Sequence, residues 1–236
     1  MLIYSGESLS WGLQSLMYGL AAGTAVAASN LLLIEAMTRI DVSLGSTIYR
    51  LNTIGVVVLS LVFLGETVAF TKLVAIVFGI AAALTLYGGT RGGAPVVQLF
   101  FWLAVLASAL RALFGVVSKA ALSAGVSKPS LLIISALCWV VLGLTYAALR
   151  ERRVRVTVAK LKFSMVSGTL VFLVVNTLLW GLSLGDASTV IPIANLSFAV
   201  VLVVSVLMRM EVMTVRKGIA VALASACIYL MSVTTI

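Results

Sequence analysis

The sequence predicts an all-α fold, a polytopic membrane bundle of about eight transmembrane helices, and three observations carry that prediction. Hydrophobic residues make up 62% of the 236 and charged residues 10%, with a mean hydropathy of +1.23, a composition that leaves no room for a soluble domain. Apolar runs of helix-spanning length follow one another with only short breaks between them. None of these runs shows the alternation, about ten residues long, of a membrane barrel strand.

Taken in order, the runs cover 11–38, 43–65, 69–89, 97–123, 130–149, 163–184, 187–208 and 214–235. In the first, Gly19 and Gly23 form a GxxxG continued by Ala27 and Asn30, a seam of small residues suited to close helix contact. Glu35 and Arg39, one turn apart near its end, have the spacing of an intrahelical ion pair. The second run places Ser46, Arg50 and Thr53 on one face, with Tyr49 adjacent and Asn52 about half a turn away. Arg111 falls in the middle of the fourth, and Lys119 shares its face closely enough to extend a basic lining. Asn176 and Trp180 lie in the sixth run, Asn195 in the seventh, and Pro192 interrupts that seventh run as a hinge candidate. The breaks fall at Arg39–Asp41, Gly65–Glu66, Gly88–Pro95, Gly125–Pro129, the basic run Arg150–Lys162, Gly185–Asp186 and Arg209–Glu211. Connections this short make neighbouring helices antiparallel.

Several functions are excluded at this level. The chain has no histidine, the commonest metal ligand and general base. Cys138 and Cys227 both lie inside apolar runs, which gives neither a disulfide framework nor a metal-ligand spacing. No enzyme, metal or cofactor is therefore expected. The net charge of +9 does not read as nucleic-acid binding, because the basic residues gather in the breaks, where they set membrane orientation. Eleven of them fall after runs one, three, five and seven, against Lys72 and Lys128 on the other side, which places both termini outside. Residues Met1 to Ser10 lack the features of a signal peptide.

An internal repeat organises the chain. Asp41 and Glu66 are 25 residues apart, as are Asp186 and Glu211, and each pair follows a helix carrying a mid-span asparagine, Asn30 or Asn176. With one single-residue gap, Ser43 matches Ser188, Arg50 matches Asn195, Glu66 matches Glu211 and Lys72 matches Lys217. Runs one to three thus correspond to runs six to eight. Equivalent runs lie an odd number of crossings apart, so the two copies thread the bilayer in opposite directions, the inverted relation common among secondary transporters.

The stretch from Glu35 to Gly89, with "LGE" ending at Glu66, and the stretch from Leu178 to Ser232, with "RME" ending at Glu211, resemble the EamA-type repeats of the drug/metabolite transporter superfamily. The resemblance implies two five-helix repeats, transport of metabolites, amino acids or drugs, and a cytoplasmic C-terminus, opposite to the charge rule. Residues 1–90 would then be a first repeat holding only three helices, and 97–236 a complete second one. The shortened half suggests that a second copy of the chain or another subunit closes the cavity.

On this reading the small-molecule substrate meets Arg111 and Arg50 as anion-binding groups, with Asn30, Asn176, Asn195, Trp180 and Tyr49 supplying amide hydrogen bonds and aromatic walls. Each has a plainer alternative: an internal salt bridge for Arg111, snorkelling for Arg50, helix-to-helix hydrogen bonds for the asparagines. Glu66 and Glu211 read first as structural caps of the helices that follow them, and second as proton-coupling groups. No carboxylate lies clearly at mid-span, which leans toward exchange or facilitated movement. The rival readings are a non-transporting assembly subunit and a membrane-embedded lipid-handling enzyme; the expected location of the chain is the cell membrane, which it crosses several times.

Overall fold

The computed structural model describes residues 11–40, 48–65, 70–87, 95–151, 157–195 and 214–233, together with Leu9 and Gly45. Among them the chain is helical apart from short turns, and no strand occurs. The elements are α1 (Leu13–Ala36), α2 (Asn52–Leu59) continued by a π-helical turn (Ser60–Leu64), α3 (Phe70–Tyr87), α4 (Pro95–Ser123), α5 (Lys128–Glu151), α6 (Val158–Leu184), α7 (Ala187–Asn195) and α8 (Val215–Val233). Each predicted apolar run thus contains a helix. Four helical stretches, Leu13–Ala36, Gln98–Ser123, Lys128–Arg150 and Val158–Leu184, are long and apolar enough to cross a membrane, and Ile48–Leu64 and Leu73–Ala82 are shorter apolar helices. This is an all-helical membrane protein.

Local chemistry sets the helix ends. Gly65 stops the π-helical turn at φ +65°, a conformation that costs glycine nothing, and its N–H bonds back to Ser60 O. Gly125, at φ +82°, ends α4 in the same left-handed way, with Val126 N–H donating to Ala121 O at 3.0 Å across the turn. The break expected over Arg150–Lys162 is shorter than predicted. Thr157 Oγ1 accepts from Lys160 N–H at 3.3 Å and caps α6 at Val158, so Lys160 and Lys162 belong to the helix. The seventh run remains helical through Pro192 as far as Asn195; its remainder, with Glu211, and also Glu66 lie outside the described residues.

α4 is the central element. α1 packs along it and carries α5 on its other side, while α2 and α7 meet α4 on a second side. α3 and α8 form a pair of their own, joined to the rest through α2 and α7. The GxxxG seam works as the spacing predicts. A Cβ on Gly19 would stand 2.7 Å from Ile134, and one on Gly23 would stand 2.8 Å from the Ser135 backbone, so only hydrogen fits between α1 and α5. Ala22, Ala27, Ala112 and Ala121 are fully buried in the bundle, with Phe114, Leu131, Leu179 and Leu182 filling the larger spaces. Van der Waals packing of small residues, rather than exclusion of water, is what holds such helices together in hydrocarbon.

Two expectations about charge are corrected. Glu35 does not turn to Arg39. It accepts from Tyr146 Oη at 2.6 Å and pairs with Arg150 at 3.2 Å, both on α5, because α5 runs beside α1 and brings these longer side chains to its end. Lys119 does not extend a basic lining from Arg111. Its ammonium donates to Leu182 O at 3.1 Å and Gly185 O at 2.8 Å, satisfying carbonyls that the end of α6 leaves open.

Candidate functional site

Several polar side chains of the interior gather among α1, α2, α4 and α7. Small residues bring the helices there. A Cβ on Gly55 of α2 would lie 2.8 Å from Ala112 of α4, and one on Gly115 would collide with Ile191 of α7. Arg111 immediately precedes Ala112 on α4, and Arg50 lies just before the start of α2. Arg50 is within electrostatic range of both Arg111 and Tyr49, and both arginines are half-buried. The Arg111 guanidinium carbon sits 5.1 Å from the centre of the Phe114 ring, one helical turn along α4. That ring face offers a cation partial compensation where water is scarce.

Two hydrogen-bond networks flank the arginines. On one side Asn195 Nδ2 donates to Asn52 Oδ1 and to Thr53 Oγ1, both at 2.8 Å, and Thr53 Oγ1 donates in turn to Arg50 O at 3.2 Å. Asn52 and Thr53 are only 3% and 1% exposed, so these bonds satisfy groups that would otherwise be costly to bury. On the other side Tyr49 Oη donates to Asn30 Oδ1 at 3.0 Å, and Asn30 Nδ2 donates to Val26 O at 2.8 Å. The Ser29 hydroxyl donates to Ala107 O at 2.7 Å, tying α1 to α4, and lies 3.3 Å from Tyr49 Oη.

Of the predicted site residues, Arg50, Arg111, Tyr49, Asn30 and Asn195 are brought to this junction. Asn176 and Trp180 are not. Both lie on α6, which packs on α4, α5 and α7, and Trp180 is 60% exposed, facing outward. Pro192 lies in α7 one turn before Asn195. Ser29 and Phe114 join the site unforeseen. Phe114 stands three residues from Arg111, a spacing that in a helix stacks a ring beneath a guanidinium. The run "YRLNT" at 49–53, the densest polar cluster within an apolar segment, was the clearest pointer to the whole junction.

Both described carboxylates whose surroundings are known lie elsewhere, Glu35 against α5 and Asp186 at the start of α7. Among the described residues no group of His, Cys, Asp or Glu side chains could hold a metal ion. Guanidinium groups are suited to attract an anion and orient it by bidentate hydrogen bonds. Phe114 also lines a cavity of about 570 Å³ between α1, α4, α5 and α6, whose lining includes neither arginine. Comparison of the sequence with protein-family models and with curated proteins gives no match.

Proposed function

We propose that the chain is a multi-pass secondary transporter of the cell membrane, of the drug/metabolite class, that moves a small anionic or polar metabolite by alternating access. What carries this reading is a pair of half-buried cations, Arg50 and Arg111, close enough to influence one another within a largely apolar bundle. Charges placed there are costly, and they persist where they serve a pathway or a ligand. A carboxylate or phosphate can hydrogen-bond to a guanidinium in bidentate fashion, and this gives the site its preference for anions. Asn195 and Tyr49 then border the substrate, and Trp180 has no part in the site.

The pairing of helices supports the inverted repeat behind this mechanism. Elements related by a two-fold axis meet their own equivalents at that axis, and here α2 packs on α7 and α3 on α8. The offset that matches Lys72 with Lys217 also matches Gly79 with Ala224 and Ala82 with Cys227. A Cβ on Gly79 would stand 3.1 Å from Cys227 Sγ, while Ala82 and Ala224 are buried in one cluster, so the two contacts are one contact met from either module. Two modules joined this way can exchange conformations and open each side in turn.

Flux into reconstituted vesicles, screened over amino acids, nucleotides and organic anions, tests the proposal. Arg111→Leu is expected to reduce anion uptake by about tenfold or more, the equivalent of one charge-assisted hydrogen bond, with Arg111→Lys retaining part of it and both variants remaining monodisperse. Uptake unchanged in Arg111→Leu would overturn the site. Absence of flux for every compound would favour a non-transporting assembly subunit.

A further inference from the structure

α6 stands off the bundle. In its most apolar stretch 11% of residues are buried, against 44% for the central span Gln98–Ser123. The space between it and its neighbours is the cavity of about 570 Å³. On the α6 side the lining runs from Phe163 to Val175 at three- and four-residue intervals, so one helix face forms the wall over about 18 Å. That depth is close to one leaflet of a hydrocarbon core about 30 Å thick. The opposite wall, with Phe114, Leu132 and Trp139, is largely apolar. Gly168 faces enough room that an added Cβ would meet nothing within 4 Å. Apart from the hydroxyls of Ser135, Ser164 and Ser167, the gap offers water little to bind.

Charge gathers at one end of this groove. Lys160 and Lys162 are exposed in the first turn of α6, just before Phe163. The segment 150–162 as a whole holds six basic residues and one acid. We infer that the groove between α5 and α6 binds an acyl chain of an anionic phospholipid, whose headgroup rests against the basic residues that open α6. Hydrocarbon fits the aromatic and aliphatic walls, and lysines beside the bilayer surface select a negative headgroup. A second copy of the chain fits less well. Two copies related by an axis along the membrane normal would bring their basic segments together, and like charges at an interface oppose it. The inference rests on the chain crossing the bilayer and is independent of transport; resistance of the membrane-bound protein to alkaline extraction checks that premise separately.

Trp139 reports on the groove. With Trp11, Trp102 and Trp180 replaced by Phe, quenching of the remaining indole is measured in phosphatidylcholine vesicles carrying either phosphatidylglycerol or phosphatidylcholine with brominated chains. The anionic lipid is expected to quench at about fivefold lower mole fraction. Gly168→Phe, or Ser167→Phe should the first variant fail to fold, is expected to abolish that advantage by filling the groove. Lys160→Gln with Lys162→Gln is expected to equalise the two lipids while leaving quenching by the chain. Equal quenching by both lipids in the parent protein, or unchanged quenching in both groove-filling variants, overturns the inference. So does a protein whose Trp139 neither lipid reaches and which cross-links as a dimer through α6.

Discussion

The central span Gln98–Ser123 and α6 are nearly equal in hydropathy, 2.0 and 1.8, and similar in length, yet one is the most buried of the four long helices and the other the least. Their side chains explain the difference. α4 places Ala104, Ala107, Ala112, Gly115 and Ala121 toward its neighbours, and these small residues let α1, α2 and α7 pack closely on it. α6 offers Phe163, Val171, Phe172 and Val175, whose bulk holds it away. Where the surroundings are themselves hydrocarbon, apolarity gives no reason to associate, and the size of the side chain decides which helix lies inside.

The largest test of this contrast is a pair of identical substitutions. Gly23→Leu must push α1 off the backbone of α5 and is expected to cost about 3 kcal/mol or more, read as a fall in thermal unfolding temperature in detergent. Gly168→Leu, at a position with open space, is expected to change stability by less than about 0.5 kcal/mol. Equal effects would break the comparison. A smaller effect is expected at the arginine junction, where Asn195→Leu leaves Asn52 and Thr53 without their donor and should cost about 1–2 kcal/mol. Lys119→Met removes the tie from α4 to the end of α6. It is expected to cost about 1 kcal/mol and to speed hydrogen exchange around Leu182 to Asp186 without altering exchange in α4. Of the polar ties, the weakest is the one that Arg150→Gln removes. With 61% of the Arg150 side chain exposed, loss of its contact with Glu35 should cost below about 1 kcal/mol.

What the sequence made legible follows the same division. Helix positions came through because long apolar runs broken by Gly, Pro and charge allow little else, and the GxxxG of α1 came through because small residues at that spacing have one efficient use. Partners across helices did not. Glu35 and Arg39 have suitable spacing within one helix, but Tyr146 and Arg150 lie more than a hundred residues away and reach it only because α5 runs beside α1. Lys119 read as lining for the same reason: nothing near it in sequence shows that the end of α6 lies within reach. Trp180 reads as an aromatic wall from its type, and only packing shows that α6 turns it outward. Arg50, Arg111 and Asn195 were found individually, since polar groups in an apolar run stand out, while Phe114 was hidden among dozens of similar residues.

The ammonium of Lys119 has a mechanical consequence for α6. It clamps the helix at Leu182 and Gly185 alone, while the shaft back to Thr157 has few neighbours to brace it. The tie lies where α7 begins, so one side chain of α4 joins the end of α6 and the start of α7 at a single point.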